Sequence, residues 1–300
     1  MHAAAAAPIG VFDSGIGGLS VLQALQAELP HERFVYVADS AHAPYGERGD
    51  AFVAERTHAV ADFLVSQHRI KALVVACNTA TAAAIHEARS RYPDMPVVGI
   101  EPALKPAVAH SRTGRIGVIG TQGTLGSAKF AALLATVQDQ AQFVIQACKG
   151  LAYAIEMSTM QAAASDPTHT EVHRLCAQYT EAMGDFGKDP GQMDTLVLGC
   201  THYVFATEDL QRLLGPEVTL LSTGEPVARQ TRRLLEAAGL LASTPAGQGI
   251  GDGKEHTQAM LQHAQRTQLL TSGDLAALQA AALRWLQLPA QQCALALELR

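Results

Sequence analysis

Three hundred residues, 48% of them hydrophobic and 17% charged, give a globular chain long enough for two domains or one large one. A net charge of -6 and a pI near 6.0 offer no basic field for a nucleic-acid backbone, so the expected partner is a small molecule, with no nucleic acid and no membrane. The five cysteines, Cys77, Cys148, Cys176, Cys200 and Cys293, are odd in number and widely spaced, and no C-x-x-C pair occurs, which fits neither a disulfide framework nor a zinc ribbon.

The chain opens on MHAAAAAPIGVFDS, which has neither a basic leader nor a sustained apolar core. No apolar segment approaches the roughly 20 residues that span a bilayer, and the expectation is a soluble cytoplasmic protein. Short apolar runs then alternate with longer segments of helical period, the pattern of βα units around parallel sheets. Strands are predicted at 9–12, 34–38, 72–76, 97–100, 115–119, 143–146, 195–198, 218–221 and 268–270, with helices in most of the gaps.

The first turn, DSGIGGLS, resembles a dinucleotide fingerprint but places Ser20 where the last glycine of G-x-G-x-x-G belongs. Its free N–H groups still suit an anion, a phosphate or a substrate carboxylate. Asp39 ends the second strand and leads into the loop ADSAHAPYG. Further on, IGVFDSGIGG at 9–18 is echoed by IGVIGTQGT at 116–124, and VVACNTA is echoed by LVLGCTH. The copies keep one order but differ by an insertion in the second, which favours two similar α/β halves, the second beginning near residues 102–114. Any two Rossmann-like stretches share some of this likeness, yet two paired echoes in one order point to duplication.

His169 and His173 stand four apart in HTEVH, but the metalloprotease pattern requires H-E-x-x-H, so a solvated helix surface is expected there. A helix follows at 226–238, then a polar, Gly-rich loop at 242–254. Residues 267–286 read as a strand, a cap at Ser272 or Asp274 and a closing amphipathic helix that returns to the first half. The tail from Pro289 carries no clear signal.

Taken singly, a cysteine at the end of an apolar run is usually a small core hydrophobe. Cys148, Cys176 and Cys293 read that way. Cys77 and Cys200, however, fall at equivalent carboxyl strand ends, each before a predicted helix, where ligands of α/β sheets bind and where a thiol pKa is drawn from about 8.5 toward neutrality. Two thiols across a cleft can take a proton from one face of a carbon and return one to the other.

FDSGIGGLSV, ADSAHAPYGER, VVACNTATA, VIGTQGT and LGCTHY, in this order, carry a resemblance that runs from residue 9 to about 286. The chain resembles the glutamate racemases of the cofactor-independent aspartate/glutamate racemase superfamily. The resemblance implies two similar Rossmann-like (flavodoxin-like) α/β domains with parallel sheets, pseudo-symmetric, with the active site in the cleft between them. Their expected bounds are 1–102 with 223–300, and 103–222. It further implies catalytic Cys77 and Cys200, tuned by Asp13 and His202, with Cys77 acting on D-glutamate and Cys200 on L-glutamate. Substrate binding is implied for Asp13, Ser14, Tyr45, Gly46, Asn78, Thr79, Thr121, Thr201 and His202, with Thr124 beside Thr121. The implied reaction interconverts L- and D-glutamate with no cofactor and no metal, supplying D-glutamate for peptidoglycan and hence for cell-wall biogenesis and cell shape. The chain departs from the family at ACKGLAYAIE, which keeps Cys148 and Glu156, and in GCTHYVF, which lacks the proline that often follows Tyr203. Aspartate racemase, another amino-acid racemase of the superfamily and a non-catalytic glutamate-binding regulator remain the alternatives. A homodimer is compatible with the sequence.

Overall fold

In the computed structural model, residues 5–161, 166–242 and 266–299 are described. Among these residues, ten strands form two sheets in which every pairing is parallel. The first sheet holds β1 (Ile9–Asp13), β2 (Phe34–Ala38), β3 (Ala72–Val75), β4 (Val97–Gly99), β9 (Thr267–Thr271) and β10 (Cys293–Leu295), in the order β10-β9-β2-β1-β3-β4. The second holds β5 (Arg115–Gly120), β6 (Gln142–Ala147), β7 (Thr195–Gly199) and β8 (Thr219–Leu221), in the order β6-β5-β7-β8. Its order repeats β2-β1-β3-β4, which is the duplication that the paired echoes imply. The additional length of the second copy falls between β6 and β7. Two parallel sheets flanked by helices match the α/β class read from the sequence.

Central strands such as β1, IGVFD, and β3, ALVV, are buried along their whole length, as expected for parallel strands covered on both faces. Ile9 and Val11 face a core built with α1 (Leu19–Glu28), α10 (Gly224–Ala237) and α11 (Leu275–Leu286). Phe12, Leu73 and Val75 face the opposite core, against α2 (Asp50–His68) and α3 (Asn78–Arg91). In α3, Thr81, Ala84, Ile85 and Ala88 recur at helical spacing and are buried, so the alanine-rich sequence docks closely on the sheet. The second sheet lies between α7 (Leu151–Ser158), α8 (Glu171–Met183) and α9 (Thr207–Leu214) on one face and α4 (Leu104–His110) with α6 (Ala128–Ala135) on the other; α5 (Gln122–Leu125) follows β5.

Several expectations need correction. β10 was not anticipated, because three residues, CAL, have no period of their own and become a strand only by pairing Cys293 with Leu269. His169 ends the short turn Pro167–His169 while His173 lies in α8, so they do not share a helix face. His169 is solvent-exposed as expected, whereas His173 is hydrogen-bonded at 3.0 Å to Asp209 Oδ1 and largely buried. The helix expected at 226–238 spans Gly224–Ala237, and Asp274, not Ser272, caps α11 by accepting from the Ala276 and Ala277 N–H groups. Beyond Ala242, the expected 242–254 loop lies outside the described residues. No helix among the described residues is long and apolar enough to cross a membrane.

Candidate active site

Four carboxyl strand ends, those of β1, β3, β5 and β7, converge on one cavity. It is tight, about 30 Å³, and its lining includes Asp13, Ser14, Tyr45, Gly46, Cys77, Asn78, Thr79, Thr121, Cys200, Thr201 and His202. All of the residues expected from the sequence except Thr124 therefore line one cavity. Ala43, Pro44, Ala152, Tyr153 and Glu156 complete the wall and were not anticipated. Thr124 stands just behind it, hydrogen-bonded to Thr79 and Thr121 at 3.3 and 3.0 Å.

On the first wall, Asp13 ends β1 and is fully buried. Its Oδ2 accepts the Gly18 N–H at 2.6 Å, while its Oδ1 has no hydrogen-bond partner among the described residues. Burial raises the Asp13 pKa above the usual carboxylate value, opposed by the nearby His202 charge. Cys77 caps α3, with its sulfur accepting the Ala80 N–H at 3.4 Å and its thiol directed to Ser14 Oγ at 3.8 Å. The expectation of a thiol drawn toward neutrality fails here: burial, then the Asp13 charge, push the Cys77 pKa well up, and the single helix N–H offsets only part. Both amide atoms of Asn78 are buried without a partner among the described residues.

On the second wall, Cys200 follows β7 and opens the tight turn Thr201–Ala206, not an α-helix. His202 lies between two groups: Cys200 sulfur at 3.8 Å from Nδ1 and Glu156 Oε2 at 2.7 Å from Nε2. Burial alone would lower the His202 pKa, but hydrogen bonds to Cys200 and Glu156 outweigh it and hold the imidazolium well above its usual range. Glu156 reaches from α7 across the cleft and accepts from the Ile16 N–H at 3.0 Å and from Ser40 Oγ at 3.2 Å. Burial would raise the Glu156 pKa, yet the His202 hydrogen bond and charge bring it below the usual value. The glycine loop was expected to cradle a phosphate or a substrate carboxylate. Two of its N–H groups, those of Ile16 and Gly18, are instead held by Glu156 and Asp13.

The walls meet tightly. Thr79 Oγ1 is 3.0 Å from Thr121 Oγ1, and an added Cβ at Gly46 would stand 2.6 Å from Thr121 Cβ. Gly17 faces His202 so closely that a Cβ would lie 2.3 Å from Nδ1. Among the described residues no cluster of three His, Cys, Asp or Glu side chains could hold a metal ion.

A sequence profile for Asp/Glu/Hydantoin racemase matches residues 17–231. The chain belongs to this racemase family. It is 48% identical over 240 residues to a glutamate racemase of Pseudomonas syringae, covering 80% of this chain and 82% of that one. Among solved structures, the racemase fold is similar to a glutamate racemase isoform of Bacillus anthracis, with a TM-score of 0.74 and 30% identity over 96% of both chains. It is also similar to the Thermus thermophilus glutamate racemase in complex with β-chloro-D-alanine, with a TM-score of 0.68 and 35% identity over 93% of both. As a member of this family the chain is an isomerase, and its cavity has a thiol on each wall.

Proposed function

We propose that this racemase interconverts L- and D-glutamate by proton transfer between Cys77 and Cys200. The observation that carries this reading is the matched placement of two thiols at equivalent strand ends of two repeated sheets, both lining one cavity. Family members named glutamate racemase, at 48% identity, supply the substrate.

One thiol, as thiolate, removes the α-proton from one face of the amino acid. The other, as thiol, gives its proton to the opposite face of the carbanion. The first residue ends as a thiol and the second as a thiolate, so the two enantiomers are released from opposite protonation states. On our reading Cys77 serves D-glutamate and Cys200 serves L-glutamate. Asp13 beside Cys77, and the His202–Glu156 pair beside Cys200, take up and return the thiol protons. A buried thiol with a raised pKa is a strong base once deprotonated, which suits a weakly acidic α-proton. The unpartnered Asn78 amide and Asp13 Oδ1 are available to the substrate carboxylates and ammonium, with Ser14, Thr79, Thr121 and Thr201 as hydroxyl donors.

A cavity of about 30 Å³ is small for an amino acid, and on our reading the Thr79–Thr121 and Gly46–Thr121 contacts part on substrate entry. We read the chain as two units that separate there, 1–102 with 223–300, and 103–222. In the cytoplasm D-glutamate would feed peptidoglycan, and a homodimer is the assembly we propose. Incubating the pure protein with L-glutamate and L-aspartate separately, with EDTA or hydroxylamine present, and following circular dichroism tests the reading. Signal decay toward zero with glutamate alone is expected. Decay with aspartate alone would make it an aspartate racemase, and tight binding without decay a regulator.

A further inference from the structure

Behind the Tyr45 wall lies a buried polar cluster that the proton transfer does not use. Asp39, just past β2, is fully buried. Its carboxylate accepts the Tyr45 hydroxyl at 2.5 Å, Ser272 Oγ at 2.7 Å and a two-pronged fork from Arg56, Nε and Nη2 each at 2.9 Å. His42 Nδ1 stands 3.1 Å away. Arg56 comes from α2, and its Nη2 also donates at 2.8 Å to the carbonyl of Leu299, in the C-terminal turn Leu297–Leu299. Burial would raise the Asp39 pKa, but hydrogen bonds from Arg56, Tyr45 and Ser272 hold it below the usual value.

We propose that Arg56 is a positioning residue for racemisation, fixing the Tyr45–Gly46 wall through Asp39 and making the C-terminal turn part of the substrate site. The proposal rests on the racemase reading above. A fork of two charge-assisted hydrogen bonds fixes both oxygens of a carboxylate, which a single contact does not. Asp39 thus has one orientation, and the Tyr45 hydroxyl must follow it. The segment between β2 and α2 contains only two three-residue turns, Ser40–His42 and Tyr45–Glu47, so no regular element holds it otherwise. It nevertheless carries two cleft contacts, Ser40 to Glu156 and Gly46 to Thr121. A shift of this wall therefore changes how the substrate is held.

The test uses the full-length protein with Tyr45→Phe, which removes only the linking hydroxyl, Arg56→Lys, which keeps the charge but loses the fork, and the double variant. Each single change should raise KM for glutamate about fivefold to tenfold with kcat within about threefold, the pattern of lost substrate binding. The double variant should be no worse than the stronger single one, because both act along one path. Deleting residues 297–300 should raise KM likewise. Unchanged KM in Tyr45→Phe and Arg56→Lys, or multiplied effects in the double variant, overturns the proposal. So does a fall in thermal stability with KM of the folded fraction intact, since that is all a purely structural ion pair would give. If the wild type fails to turn glutamate over, the racemase reading fails. Wild-type turnover with insensitive variants defeats this proposal alone.

Discussion

Glu156 and His202 form a buried pair, 2.7 Å between Oε2 and Nε2, that closes the cleft from the second wall and steadies the ring facing Cys200. The pair holds His202 protonated above its ordinary range, so its contribution is complete below about pH 6.5 and is lost as pH rises through the raised folded value. Glu156→Gln removes one of the two partners responsible. The His202 limb of the kcat/KM profile should then move to lower pH, and kcat/KM should fall about a hundredfold. Because enantiomers have equal free energy, the loss must be equal for L- and D-glutamate. Profiles for both enantiomers between neutral and alkaline pH check this, and an unmoved limb would separate Glu156 from the titration.

The two cleft thiols should be separable from the three structural cysteines. Cys77→Ser and Cys200→Ser should each lower racemisation on the order of a thousandfold, since a serine hydroxyl is a far weaker acid than a thiol. Cys148→Ser and Cys176→Ser should leave kcat/KM nearly unchanged and cost about 1–2 kcal/mol of stability, from placing a hydroxyl in an apolar core. In D2O, with one base per face, each turnover should deliver solvent deuterium to product while substrate recovered early carries little label. Substantial two-way activity in either cleft variant would mean that two thiols are not required.

Glycine spacing gives a third, steric prediction. At Gly17 a Cβ would stand 2.3 Å from His202 Nδ1 and 2.7 Å from Thr201 Oγ1, whereas at Gly49 nothing lies within 4 Å. Gly17→Ala should therefore displace the His202 ring and reduce kcat/KM about a hundredfold or more, as small misplacements of catalytic groups do. Gly49→Ala should have no effect. Comparable activity of the two variants would show that the loop yields without moving His202.

Much of this site was legible because its residues sit at strand ends, where short local phrases fix both the element and its function. VVACNTA and LVLGCTH place Cys77 and Cys200, and the paired echoes announce two similar halves, whose shared strand order, β2-β1-β3-β4 and β6-β5-β7-β8, is set by pairing between distant segments. Glu156 escaped for a physical reason: it lies on α7, in the longer segment between β6 and β7, where no phrase of the first half is echoed. Its acidic side chain in ACKGLAYAIE was the available signal, but only tertiary packing shows it reaching Ile16 and His202. The Cys77 thiol was misjudged because a helix start is local, while burial and the Asp13 charge that dominate it are not. β10 is likewise a product of pairing, with no period in its three residues to announce it.

Lys71 and Glu32 form a buried pair, 2.5 Å apart with side chains only 2% and 3% exposed. Lys71 also donates to the carbonyls of Ala5, at 2.5 Å, and Leu240, at 2.8 Å, and Glu32 accepts the Ala242 N–H at 2.9 Å. Lys71→Met leaves Glu32 charged and unpaired, and should cost about 3–5 kcal/mol. Replacing both, as Lys71→Met with Glu32→Leu, removes the stranded charge, and for many buried pairs that restores stability. Here three backbone groups would lose their partners, each worth about 1–3 kcal/mol when left unsatisfied. The double variant should therefore recover only part of the loss, with KM for glutamate unchanged because the pair lies outside the cavity lining. Urea midpoints for the two variants and the wild type measure this, and full recovery in the double variant would mean that the pair serves only to neutralise itself.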